Sequence, residues 1–231
     1  MSALRVRIKF TKTGCVQYVG HLDIMRYFQK ALRRADFDVA FSEGFSPHMI
    51  MSFAAPLGVG VTSQGEYFDV ELRTVSSSAD MVKALNETMV EGVEIKSIRQ
   101  VPDTKKDKAM TMVGGADYLV TLKDAIIIKD WADKFAAFME QKEIVVIKKT
   151  KKSETSLDIR PLIHRWKVEN ENALYLRLCC GSENNLKPNL VLESFYAFLQ
   201  TELPAFSYHV ERIDTYTKDF ISLGELGEII E

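Results

Sequence analysis

Arg5–Phe10 alternates charged and apolar residues, the period of a half-buried strand. From about His21 to Ala35 the period becomes helical, with Ile24, Met25, Phe28, Ala31 and Leu32 on one face. A short strand pattern follows at Asp38–Phe41 and a strong one at Tyr67–Arg73. Ser76–Ser78 supplies caps for a helix expected to run through Val90, and Val93–Gln100 closes with another strand. Strand, helix, strand, strand, helix, strand is the ferredoxin-like arrangement.

Pro102 to Ala116 interrupts this pattern. Its Pro-Asp-Thr-Lys-Lys-Asp-Lys run and Gly114-Gly115 read as a linker or mobile loop. The same grammar then restarts. Strands are expected at Tyr118–Leu122, Glu143–Lys149, Leu157–Lys167, Leu174–Cys180 and Tyr208–Thr215. Helices are expected at Ile128–Glu140, with Trp131, Phe135 and Phe138 inward, and from Pro188 through Leu199. The expected fold is α+β, two ferredoxin-like halves whose antiparallel sheets are covered by helices. Its parts are a domain at 1–101, a linker at 102–116, a domain at 117–218 and a tail at 219–231.

Between the first helix and the strong strand lies Phe41–Gly60, dense in residues that fix backbone. Gly44, Pro47, Pro56, Gly58 and Gly60 set turns, and among them stand Ser42, Ser46, His48 and Ser52. A plain connector needs neither an imidazole nor such restricted backbone. Ser46, His48, Ser52, Gly58 and Gly60 are therefore candidate ligand-binding residues. Gly58 and Gly60 fit close approach of backbone to a ligand, or equally a tight strand entry. Their spacing is that of neither a dinucleotide fingerprint nor a P-loop.

The segment Gly44-Phe-Ser-Pro-His48, with Ser52-Phe53, Pro56-Leu57, Gly58, Gly60 and Glu66-Tyr67, resembles the radical-SAM-associated domain of unknown function. That family occurs alone or fused behind B12-binding radical-SAM modules. Arg5–Gly14, Gly20–Arg26, Asp158–Ile163 and Asn185–Glu193 fit the same family, so the likeness runs from the first strand to the last helix. One departure is that the family follows its Pro-His with Pro and a basic residue, where this chain has Met49 and Ile50. The resemblance implies a radical-SAM protein as partner, with an iron–sulfur cluster, S-adenosylmethionine and cobalamin carried there.

Composition narrows the field further. With 231 residues, 46% hydrophobic and 27% charged, the chain is an ordinary globular sequence with room for one large core or two small ones. No apolar run reaches bilayer length, and the opening residues read as a strand, so a cytoplasmic location is expected. The 3 cysteines include the adjacent Cys179 and Cys180, and no CxxC pattern exists, so no metal or cluster is expected on this chain. The net charge of −2 is uneven. Residues 1–60 hold eight Lys/Arg against four acids, a formal +4, which leaves −6 for the remainder. An anionic ligand held by the N-terminal part fits that separation.

Arg26, Lys30, Arg33 and Arg34 share the polar face of the first helix. They form either a solvated face or, if Lys9 and Lys12 join them, a stripe that follows phosphates. His21 at the helix start and His48 are the candidate catalytic residues, able to do acid–base work together if the fold joins them. Asp158, Arg160 and His164 fall on alternate positions of one expected strand and suit either a polar ligand or an ion pair. Lys187, before the last helix, could assist an anion site. The basic runs Lys105–Lys108 and Lys148–Lys152 read as solvated loops.

Three functions follow as expectations. The first is an accessory or substrate-recognition protein for a radical-SAM enzyme, with RNA or an RNA-linked factor as substrate. The second is a metal-free RNA-processing enzyme. The double ferredoxin-like plan resembles CRISPR repeat-processing endoribonucleases, although their C-terminal glycine-rich loop is missing here. The third is a small-ligand-binding protein that uses Gly44–Gly60 as a pocket wall.

Overall fold

A computed structural model describes residues 3–123, 128–149, 154–182 and 184–231. The chain divides into two compact units, Met1–Gly115 with Arg212–Glu231, and Ala116–Glu211. Both are mixed α+β, with mostly antiparallel strands and helices packed on the sheets.

The first unit contains β1 (Leu4–Lys12), α1 (His21–Arg34), β2 (Met51–Phe53), β3 (Val61–Leu72), α2 (Ser78–Asn86), β4 (Ile95–Gln100) and α3 (Ala109–Met112). The start of β5 (Val113–Leu122) and the end of β10 (Tyr208–Thr217) also belong to it. Its strands lie in the order β4-β1-β3, with β2 and β10 both pairing along β3. Alternation in β1 sends Val6, Ile8 and Phe10 to the helix-covered face, against Phe68, Val70 and Leu72 of β3. Ile24, Phe28, Ala31 and Leu32 of α1 and Met81 and Leu85 of α2 close over them. Phe28 sits 4.6 Å from Phe10 and 4.7 Å from Phe68, edge-on or tilted contacts each worth about 0.5–1.5 kcal/mol beyond area burial. Ser77 caps α2 by accepting from the Asp80 N–H, as expected, although the helix stops at Asn86.

The opposite face of this sheet is polar and still buried. Arg5 stands across from Glu71, Arg7 from Asp69 and Lys9 from Tyr67. Arg7 and Asp69 pair through two contacts of 2.8 and 3.2 Å, both side chains being only 2% exposed. Residues 102–112, expected as a linker or mobile loop, lie over this face. Pro102 and Thr104 carbonyls accept from Arg5, the Asp107 carbonyl from Arg7, and Asp69 accepts from the Ala109 N–H. Buried guanidinium groups need many acceptors, and an irregular polar segment supplies carbonyls that a strand would use for itself. The expected tail also belongs to this unit. Gln100 and Glu228 exchange backbone hydrogen bonds of 2.8 and 2.9 Å, and Ser78 pairs with Ile230.

The second unit contains the rest of β5, α4 (Trp131–Met139), β6 (Val145–Lys149), β7 (Glu154–Asp158), β8 (Ile163–Asn170), β9 (Ala173–Cys179), α5 (Pro188–Phe198) and the start of β10. Its sheet runs β10-β5-β9-β8, while β6 and β7 form a separate hairpin. Phe135 of α4 packs 5.0 Å from Phe195 of α5 and 5.4 Å from Trp166, over Leu174, Leu176 and Leu178. The single strand expected at 157–167 is instead two strands separated by a 3-10 turn, Arg160–Leu162. Pro161 in that turn has no N–H for a ladder, which is why the strand breaks there. The side chains of the basic run 148–152 lie outside the described residues.

Candidate functional site

Four charged or titratable side chains from distant parts of the chain meet at one end of the first unit's core. Lys12 ends β1, His21 begins α1, Glu66 lies in β3, and Arg212 comes from β10. Phe10, Ile24, Phe53, Ala55 and Leu57 complete the walls around Lys12, His21 and Glu66. The space they leave is small, about enough for one water molecule.

Lys12 shares the helix-covered face with Phe10, and its ammonium is held there by backbone. Its Nζ donates to the Gln17 carbonyl at 3.2 Å and the Val19 carbonyl at 2.8 Å, both from the turn between β1 and α1. One ammonium N–H is left over from those two bonds. Glu66 falls on the same face as Phe68 and Val70 and is 4% exposed. Arg212 Nη1 donates to both of its oxygens, at 3.0 and 3.2 Å, and to the Ala55 carbonyl at 3.2 Å. The His21 ring stands edge-on to Phe53 with centroids 5.2 Å apart.

Burial drives the electrostatics. It pushes the Glu66 carboxyl up against the opposing pull of Arg212, and pushes the Lys12 ammonium down although Glu66 partly offsets it. Burial, and then the Lys12 charge, hold the His21 imidazole below its ordinary value. The pocket thus gathers two basic side chains, Lys12 and Arg212, around the single carboxyl group of Glu66. Gly20 caps α1 with extended backbone and no side-chain hydrogen bond, so the positive end of the helix adds to these basic groups. The arrangement suits one anionic or strongly accepting group, with His21 able to share a proton with it.

The other sequence candidates are placed elsewhere. His48 is exposed and staples its own loop. Its Nδ1 lies 2.8 Å from Ser42 Oγ, its N–H donates to that hydroxyl at 3.1 Å, and its carbonyl accepts from the Ser42 N–H at 2.9 Å. His48 does not line the pocket with His21. Ser46 is exposed on the same loop, beside the fully exposed Phe45. Ser52 lies in β2 across from Asp69. Gly60 has φ +84 and donates to the Gln17 carbonyl at 2.9 Å, so its freedom serves the turn into β3. Gly58 has ordinary space around it, with Val61 as its neighbour.

Asp158, Arg160 and His164 do not share a strand face, since they stand on β7, the 3-10 turn and β8. Asp158 accepts from the N–H groups of Ile144 and Arg160, and Arg160 Nε donates to the Met139 carbonyl at 3.0 Å. These bonds fasten the hairpin. Lys187 is exposed at the N-cap of α5 and makes no side-chain cap bond.

Arg26, Lys30, Arg33 and Arg34 do share an exposed face of α1, where Arg26 pairs with Asp23 and Arg34 donates to the Thr88 carbonyl. Lys9 and Lys12 do not extend it. Strand alternation sends Lys9 to the face away from α1, where it meets Asp214, and Lys12 lies in the pocket. Much of the N-terminal positive charge is thus consumed by internal pairing.

Glu66 and Arg212 were not among the sequence candidates as a pair. The available signal was a carboxylate at an apolar-face position of a strong strand. Nothing local connects it to Arg212.

No group of three or more His, Cys, Asp or Glu placed to hold a metal occurs among the described residues. Among them, too, no helix is long and apolar enough to cross a membrane.

A family model described as "Uncharacterized protein conserved in bacteria (DUF2344)" matches residues 5–188. No curated protein matches the chain. Among solved structures, one described as "Crystal Structure of an Unknown Protein from Galdieria sulphuraria" is 12% identical, with a TM-score of 0.28 over 91% of this chain and 97% of that one.

Proposed function

The chain belongs to this bacterial family, DUF2344, and on that premise we propose that it is a substrate-recognition protein acting beside a radical-SAM enzyme. The partner carries the iron–sulfur cluster, S-adenosylmethionine and cobalamin. This chain holds an anionic group of the substrate, a phosphate or carboxylate on an RNA or RNA-linked factor, by seating one of its oxygens in the Lys12–His21 pocket. The observation that carries the reading is the meeting of Lys12, His21 and Arg212 around Glu66 at the uncapped start of α1. The sequence resemblance supports the partner. The strand orders of the two units, together with their alternation of strands and helices, support a ferredoxin-like reading of both halves.

Two measurements test this. Calorimetric titration with adenosine 5′-monophosphate should show binding that Lys12→Met weakens about tenfold, the value of one charge-assisted contact. Binding unchanged in Lys12→Met removes the pocket from the account. A crosslinked pulldown from the native host should recover a radical-SAM protein, and recovery of none removes the partner.

A second reading rests on the neutral His21 beside the Lys12 charge, a base next to a group that stabilises developing negative charge. It makes the chain a metal-free RNA-processing enzyme. Cleavage of host RNA by the purified chain, abolished in His21→Ala without loss of fold, is its signature.

A further inference from the structure

Strands β8 and β9 of the second unit present an unusual set of side chains away from the helices. Their register places Arg165 directly across from Arg177, and Lys167 directly across from Tyr175. Side chains facing each other across antiparallel strands interact strongly, and like charges there are destabilising. One buried carboxylate holds half of this set in place. Asp117 of β5 is 4% exposed and takes Arg177 through two hydrogen bonds of 2.7 and 2.8 Å. It also accepts from the Tyr175 hydroxyl, and burial, then this bond, push that phenol up to about 12. Arg177 and the Tyr175 ring are thereby fixed, both still partly exposed. Lys167 pairs with Glu169, while Arg165 is exposed and has no carboxylate partner among the described residues.

We propose that this sheet face binds single-stranded nucleic acid, with a base stacked on Tyr175 and phosphates held by Arg165 and Arg177. The chemistry of this face favours that occupant. An aromatic platform tied by its hydroxyl offers its ring for stacking at little entropic expense. The cations beside it keep a cross-strand repulsion that an anionic backbone would relieve. Arg165 and Lys167 are two residues apart on one strand, so they track a backbone over about 6.7 Å. Nothing in the set reads base edges, and binding is therefore sequence-tolerant. The site deepens the proposed RNA-linked substrate and rests on that part of the functional reading. It leaves the Lys12–His21 pocket for a terminal anionic group.

Fluorescence anisotropy of the whole chain with a fluorescein-labelled oligouridine tests it. The account predicts binding that weakens as salt rises, is stronger than to a duplex of equal length, and falls about tenfold in Arg165→Glu and in Tyr175→Ala. Tyr175→Phe keeps the ring and retains most of the affinity. Lys30→Glu, on the exposed face of α1, leaves oligouridine binding unchanged, and the adenosine 5′-monophosphate titration reads the pocket separately, so failure of the pocket and failure of this face are distinguishable. Absence of binding, or binding indifferent to Arg165→Glu, overturns the proposal. Equal binding of a labelled polyglutamate peptide, competing with the oligonucleotide, also overturns it and reassigns the face to an acidic protein segment.

Discussion

In the first unit Arg5, Arg7 and Lys9 stand across from Glu71, Asp69 and Tyr67, and residues 102–112 close over them. The C-terminal residues join that closure, with Ser222 bonded to Asp214 and near Tyr67. In the second unit the sheet face away from the helices carries Arg165, Lys167, Tyr175 and Arg177, and the first two are exposed. The two faces use similar side chains to different ends. Cations opposite acids, desolvated and supplied with carbonyl acceptors, act as fasteners. Cations opposite a cation and a tyrosine, left in water, are a surface waiting for an anion.

The largest expected effect breaks this comparison at its strongest point. Arg7→Ala leaves Asp69 buried without its cation and should destabilise the protein by about 3–5 kcal/mol, read from its urea midpoint. Arg165→Ala in the second unit should stay within about 0.5 kcal/mol, because nothing buried depends on it. Similar values for the two would erase the distinction. Next comes Tyr67→Phe. The Tyr67 hydroxyl bonds Asp214 at 2.5 Å, and its removal leaves buried polar groups short of a partner, a loss of about 1–3 kcal/mol.

The smallest effect is a pH dependence. His21 titrates below its ordinary value of 6.5 in the folded chain. Between the two values the unfolded chain holds more protons, so stability rises with pH up to about 6.5 and then levels off. His21→Gln should flatten that rise in thermal melts across the acid range. A rise of equal slope in the variant would assign it to other groups.

How much of this was legible in the sequence depends on what each feature rests on. The alternation of β1 and the apolar stripe of α1 were plain, because periodicity is local. So were the inward aromatics of α4. The break at Pro161 was written in the chain, yet the apolar residues on both sides of it suggested one strand. Residues 102–112 read as loose because their composition is that of solvent-facing chain. Their ordering comes from Arg5 and Arg7, about a hundred positions away. The pocket was half legible. His21 stood out by its place at a helix start, whereas His48 stood out for its surroundings and proves to fasten its own loop with Ser42. Glu66 and Arg212 are 146 positions apart, and only the fold brings them together.

The account's central claim is that the Lys12–His21 pocket takes an anionic group, and the titration of His21 followed by NMR tests it most directly. In the free protein its pKa should lie below 6.5, for the burial and the Lys12 charge described above. Adenosine 5′-monophosphate at saturating concentration should raise it, because a bound anion favours the protonated ring. A His21 pKa that does not respond to the anion would contradict the claim.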